Sequence, residues 1–283
     1  MPLRSRQPSR PKTFALVLGG GGARGLAHIP IIEALDEIGV RPAVIVGSSI
    51  GAAVGAAYAS GMSGREMRRY ALHLLHDRGE VLRRLMLARA AGLAELLSVG
   101  LRNPMLLDAQ KLADQFLPDP VRDNFDELDV PLLVIATDLY GRSEALFAEG
   151  ALRPAVAASM AIPGLVRPVE IGGRVLVDGA AVNPLPFDRV RDRADIVVAV
   201  DASIGASEPR GIPDPWEALF STIQLMGQAI VVEKLKHAQR PDIVVRPNVG
   251  TFRLLDFFAA SAILRAGDGA RAELKDKLAA LLA

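Results

Sequence analysis

Two short apolar runs each break into glycine and hand over to a helical pattern, and this repetition constrains the fold more than any other feature of the chain. The first runs from Thr13 to Gly19, continues as Gly20-Gly21-Gly22-Ala23-Arg24-Gly25, and leads into a helix predicted from about Leu26 to Ile38, closed by Gly39. The second is Ala43-Val44-Ile45-Val46, followed by Gly47-Ser48-Ser49-Ile50-Gly51 and a small-residue helix from Ile50 to Ala59, with Gly61 as its C-cap. Strand, helix, strand, helix is the pattern of a parallel sheet with crossover helices.

Gly47-Ser48-Ser49-Ile50-Gly51 fits G-x-S-x-G, in which a serine sits on a tight strand-to-helix turn and only small neighbours fit. Ser49 would then stand at a helix N-terminus, where backbone N–H groups favour developing negative charge. The glycine loop on the preceding turn also satisfies the dinucleotide pattern G-x-G-x-x-G. That reading wants an acid at the end of the second strand, and Val46-Gly47-Ser48 supplies none. A phosphate loop would want Gly-Lys-Ser/Thr after the glycines, which is also missing. Four consecutive glycines exceed what a turn needs, and they suit a loop whose N–H groups face an anion unobstructed.

The 283 residues, half of them hydrophobic and with a net charge of +1, fit one α/β domain and do not indicate nucleic acid or an acidic partner. With no cysteine, disulfides and cysteine-ligated metal sites are excluded, so a reducing compartment, by default the cytoplasm, is the expectation. Residues 1–12 carry four cations and no acid, without the apolar stretch of a signal peptide. They read as a solvated disordered tail, the alternative being weak attraction to anionic lipid at the inner membrane surface. The domain proper is expected at 13–283. No apolar run is long and charge-free enough to span a bilayer.

Residues 65–117 hold many leucines and no strand-like segment, so they read as packed helices, or in part as an apolar flap over a lipid site. Strands resume at Val130 to Thr137 and Asp195 to Val200, and Val169 to Val177 reads as a hairpin turning at Gly172-Gly173. A helix from Trp216 to Gln239, a short strand at Asp242 to Val245 and a helical C-terminus complete the chain.

A nucleophilic Ser49 needs a base. Of the four histidines, only His237 follows the order of an α/β-hydrolase, and it lies in the charged segment Lys234-Leu235-Lys236-His237. His28 suits a core hydrogen bond, and His73 and His76 suit a helix surface. Asp138 and Asp178 each follow an apolar strand directly, where catalytic side chains of open α/β sheets are found, and spacing does not choose between them.

Taken in order, the glycine loop with Leu26-Ala27-His28-Ile29, the elbow, Ala158-Ser159-Met160-Ala161-Ile162-Pro163-Gly164, and Asp178-Gly179-Ala180 with Asn183-Pro184 resemble the patatin-like phospholipase family. The resemblance covers about residues 13–203 and departs at Pro30, where the family commonly has glycine. It implies a three-layer fold with a mostly parallel central sheet and helices on both faces. It also implies a histidine-free dyad, with Ser49 as nucleophile and Asp178 as base, and an oxyanion loop of Gly20, Gly21, Gly22 and the Arg24 backbone. The implied function is a serine acylhydrolase acting on acyl esters of phospholipids, lysophospholipids or related lipids, with no metal or organic cofactor. The alternatives are a catalytically weak regulatory or membrane-associated binding protein and a histidine-dependent α/β-hydrolase.

Overall fold

A computed structural model describes residues 10–89, 107–203, 211–237 and 239–282. Most of the basic tail, and residues 90–106 of the leucine-rich stretch, lie outside the described residues. Among the described residues eight strands form one sheet: β1 Phe14–Leu18, β2 Val44–Ser48, β3 Leu132–Asp138, β4 Ser143–Phe147, β5 Val169–Ile171, β6 Arg174–Asp178, β7 Ile196–Val200 and β8 Ile243–Val245. The helices among the described residues are α1 His28–Glu37, α2 Ile50–Ala59, α3 Gly64–His76, α4 Arg78–Leu87, α5 Ala109–Phe116, α6 Leu152–Ser159, α7 Pro215–Lys234, α8 Ala260–Asp268 and α9 Arg271–Leu282.

Strands β8, β7, β1, β2 and β3 run parallel in that order, while β4, β5 and β6 join antiparallel. Strand β4 pairs with residues 134–138 along one edge of β3. The other edge is shared end to end: β2 covers residues 132–135 and β6 covers 136–138. At the junction Ser48 pairs with Ile135 and Asp178 with Ala136. The predicted hairpin is present, and Gly172 and Gly173 take φ values of 59° and 73°, the left-handed pair that a tight hairpin turn requires.

Alternation along the strands divides the core in two. Leu16, Leu18, Ile45 and Val134 join the larger cluster with residues of α1, α2, α6 and the C-terminal helices. Val17, Val46, Ile135 and Ala199 face Leu185, Phe187, Val190 and Val231. Each fully buried leucine or isoleucine contributes about 1.5–3 kcal/mol, which makes this double-sided sheet the main source of stability. Arg68 and Arg271 both pair with Glu33, at 2.7 and 3.1 Å, and both reach Asp268, so ions join α1 and α3 to α8 and α9.

Two elements went unread in the sequence. Strand β4 is an edge strand whose Ser143 and Leu146 are exposed, so its apolar signal is thin, and α6 is short with Pro154 in its first turn. A 3₁₀ turn over Gly22–Ala27 precedes α1, so the α-helix itself begins at His28, and α7 ends at Lys234 rather than Gln239. No described helix is long and apolar enough to cross a membrane.

Candidate active site

Ser49 sits between β2 and α2 with φ 55° and ψ −127°, a left-handed conformation costly for a residue with a side chain. The surroundings hold it there. Its N–H donates to Ser159 Oγ at 2.8 Å, and Ser159 Oγ in turn donates to the Ile135 carbonyl at 2.5 Å. Its carbonyl accepts from Ala52 N–H at 2.9 Å and opens α2. The flanking glycines are sterically required: a β-carbon at Gly47 would lie 2.5 Å from the Gly51 carbonyl oxygen, and one at Gly51 would lie 2.1 Å from that of Leu18.

Ser49 Oγ donates to Asp178 Oδ2 at 2.6 Å. Asp178 closes β6, and three more hydrogen bonds fix it. Its Oδ1 accepts from Ala180 N–H at 2.8 Å, its N–H donates to the Ala161 carbonyl at 3.0 Å, and its carbonyl accepts from Thr137 Oγ1 at 2.8 Å. Burial pushes the carboxyl up to about 6, while the hydrogen bonds from Ser49 and Ala180 pull it down. The group is therefore still ionised near neutrality but more basic than an ordinary aspartate.

The glycine loop passes directly over this pair, since a β-carbon at Gly20 would lie 3.5 Å from the Ser49 β-carbon. Its N–H groups are not equivalent. Gly19 donates to the Val200 carbonyl at 3.1 Å, Gly20 to that of Pro184 at 2.9 Å and Ala23 to that of Leu254 at 2.7 Å. Gly20 thus contributes by lacking a side chain, its amide being committed elsewhere. The N–H groups of Gly21 and Gly22 have no acceptor among the described residues. Arg24 is buried, and its Nε donates to the Gly21 carbonyl at 3.3 Å. Burial lowers the guanidinium to about 10, against the opposing pull of Asp201 and Asp256. His28 lies under the loop with Nε2 2.8 Å from the Gly19 carbonyl, so Nε2 carries the proton. Burial holds this imidazole down at about 4 and keeps it neutral.

Of the predicted site residues, the structure brings Ser49, Asp178 and the glycine loop together. Asp138 is elsewhere engaged, accepting from Gly141 N–H at 2.8 Å in the β3–β4 turn. His237 is exposed beyond α7, and His73 and His76 are exposed on α3. Sequence reasoning missed Ser159 as the group that orients Ser49, although it lies within the quoted segment Ala158-Ser159-Met160. It also missed the brace on the loop after Asp178. Asn183 Nδ2 donates to Glu144 Oε2 at 2.6 Å, and Lys234 Nζ donates to Asn183 Oδ1 at 2.5 Å while pairing with Asp188. Among the described residues no group of three histidine, aspartate or glutamate side chains gathers as metal ligands.

Known proteins resemble this chain in sequence and in fold. The chain is 36% identical over 216 residues to an uncharacterized NTE family protein of Mycobacterium tuberculosis, covering 75% of this chain and 55% of that one. It is 31% identical over 201 residues to patatin-like phospholipase domain-containing protein 6 of Homo sapiens, covering 67% of this chain and 13% of that one. The chain therefore spans about half the length of the first relative and a small part of the second. Its fold is similar to that of VipD from Legionella pneumophila, with a TM-score of 0.53 at 15% identity over 95% of this chain and 67% of that one. The sequence model described as patatin-like phospholipase matches residues 16–191, more than half of the chain. The chain belongs to the patatin-like phospholipase family.

Proposed function

We propose that this chain is a serine acylhydrolase that cleaves acyl esters of phospholipids, lysophospholipids or related lipids through Ser49 and Asp178. The observation that carries the reading is the 2.6 Å hydrogen bond from Ser49 Oγ to a buried Asp178 carboxylate. Family membership supports the lipid class of the substrate.

In acylation the Ser49 proton moves to Asp178 Oδ2 as Oγ attacks the ester carbonyl carbon, and the carbonyl π electrons move onto oxygen. The free N–H groups of Gly21 and Gly22 are the donors offered to that oxyanion, with the N-terminus of α2 adding its dipole. Collapse breaks the ester C–O bond, and the leaving alkoxide takes the proton back from Asp178. Water then repeats the sequence, giving its proton to Asp178 and releasing the acid and Ser49. The raised basicity of Asp178 narrows the gap to the serine hydroxyl, and the short hydrogen bond aligns the transfer. No step calls on a metal or organic cofactor.

A fluorophosphonate should label the wild-type protein and fail on Ser49→Ala, while Asp178→Asn should fold and label at least about a hundredfold more slowly. His237→Ala should label at the wild-type rate. Labelling lost in His237→Ala and kept in Asp178→Asn would transfer the base to histidine. Wild-type protein that neither labels nor releases fatty acid from any phospholipid or lysophospholipid would leave the binding-protein reading.

A further inference from the structure

The elements around the Ser49 end of the sheet form a closed circuit of contacts. The Arg78 guanidinium at the start of α4 lies 5.1 Å from the Phe258 ring centre. Arg253 in the same segment pairs with Glu217 of α7 at 3.1 Å. The neighbouring Trp216 ring lies 3.5 Å from where a β-carbon of Gly164 would stand. Leu107 N–H donates to the Leu165 carbonyl at 3.0 Å, and Asp108 N–H donates to that of Ala88 at 2.8 Å, which returns the circuit to the end of α4. The circuit meets the site twice, at Leu254, whose carbonyl holds Ala23 of the glycine loop, and at the segment that follows Ser159.

This rim is apolar and exposed. On α4, Leu82 and Met86 are 57% and 56% exposed, with Leu87 beside them. Phe258, Trp216 and Leu219 continue the series, and α7 carries no charge from 218 to 232. Scattered exposed hydrophobes need no explanation, but a series linked by contacts around one site does. Around α4, Arg78, Arg83, Arg84 and Arg89 stand against Asp77, which caps the helix, and Glu80, a surplus of two positive charges among the exposed leucine and methionine side chains. A basic amphipathic helix of this kind matches the interfacial zone of an anionic membrane, with apolar side chains in the acyl boundary and guanidinium groups at the phosphates.

We infer that α4, the Phe258 segment and the N-terminal half of α7 form a docking rim that seats the Ser49 site on an anionic phospholipid surface. The inference rests on the lipid acylhydrolase reading, to which it adds the physical state of the substrate: lipid packed in a membrane and drawn out through the rim. A second copy of this chain would also cover an apolar rim, but α4 laid against α4 would set the same positive charges against each other.

The chain has one tryptophan, Trp216, and it stands on the rim. Full-length Ser49→Ala protein, which cannot consume the lipid, is titrated with phosphatidylglycerol vesicles and with phosphatidylcholine vesicles. Trp216 emission should shift to the blue with phosphatidylglycerol, and the shift should weaken with salt. The double variant Leu82→Asp/Met86→Asp should bind the anionic vesicles at least about tenfold more weakly. In the Ser49 background the same pair should hydrolyse a soluble short-chain ester at the unmodified rate. No emission shift, or unchanged vesicle affinity in the double variant, overturns the docking rim. A concentration-dependent dimer abolished by Leu82→Asp/Met86→Asp, with no vesicle binding, overturns it in favour of a second copy. The two readings separate cleanly: fluorophosphonate labelling without vesicle binding sinks the rim alone, and vesicle binding without labelling sinks the acylhydrolase.

Discussion

Ser48 and Asp178 face consecutive residues of β3, Ile135 and Ala136, from two different strands that meet end to end on one edge. The elbow that carries Ser49 begins where β2 ends, and the carboxylate begins where β6 ends. Strand β3 is therefore the common support of both reacting groups, and Ser159, bonded to the Ile135 carbonyl, fixes the elbow to the same rung.

Removing Ser159 tests that support. Ser159→Ala leaves Ser49 N–H and the Ile135 carbonyl without the hydroxyl that joins them. Stability should fall by about 1–3 kcal/mol, the cost of unsatisfied buried groups, with kcat reduced and KM nearly constant. Chemical denaturation and steady-state kinetics on a soluble ester check both; a silent substitution would show that Ser49 holds its conformation unaided.

The backbone conformation of Ser49 predicts a difference between two inactive variants. Ser49→Ala and Ser49→Gly both lose the hydroxyl, but only glycine takes φ 55° freely. Ser49→Gly should be more stable than Ser49→Ala by about 1 kcal/mol, read from paired denaturation curves. Equal stabilities would mean that the elbow stores no strain.

Asp178 should cost stability in order to serve as a base. Its folded value near 6 lies above the ordinary 3.8, so the folded state binds the proton more tightly and is penalised when the group is ionised. Asp178→Asn should therefore be the more stable protein above pH about 7, by an amount on the order of 1–3 kcal/mol. The gap should narrow as pH falls from about 6 and close below about 3.8, where the wild-type carboxyl is protonated in both states. Melting curves across that window decide it, and a constant gap would remove the raised basicity.

His28 should act with the opposite sign. Its folded value near 4 lies below the ordinary 6.5, so the unfolded chain takes up the proton first and stability drains away as pH falls through that interval. His28→Gln should flatten the acid limb between about pH 6.5 and 4, where the wild type loses up to roughly 3 kcal/mol. An unchanged acid limb in a folded His28→Gln protein would show that burial does not suppress this histidine.

Much of the architecture was legible because its signals are local. The apolar runs of β1, β2 and β7 are buried on both faces, and the glycines at 47 and 51 meet backbone that admits no side chain. Choosing Asp178 over Asp138 by spacing was impossible, since both follow strands, and only the shared edge of β3 brings one of them to Ser49. The division of labour in the glycine loop was equally hidden. Gly20 spends its amide on Pro184, far along the chain, so the loop sequence does not tell a committed N–H from a free one. Gly21 and Gly22 substitutions also prove poor tests of catalysis, because β-carbons there would lie 2.7 Å from the Ala202 carbonyl oxygen and 2.3 Å from that of Leu254. Such variants disturb folding together with turnover. The hydroxyl of Ser159 and the Asn183–Lys234 brace went unnoticed because their partners are set by tertiary packing alone.

The end-to-end meeting of β2 and β6 makes chemical competence a matter of strand alignment. A slip of one residue in β6 would place Val177 opposite Ala136 and carry the carboxylate to the other face of the sheet, about 3.4 Å along the strand. Such a molecule could keep most of its core and still be inert, since nothing in the bulk of the fold reports where that hairpin stopped. The fraction of a refolded preparation that a fluorophosphonate titrates would then count the chains whose hairpin closed in the correct alignment. Single-residue insertions at Gly172-Gly173 would act as a vernier on that count.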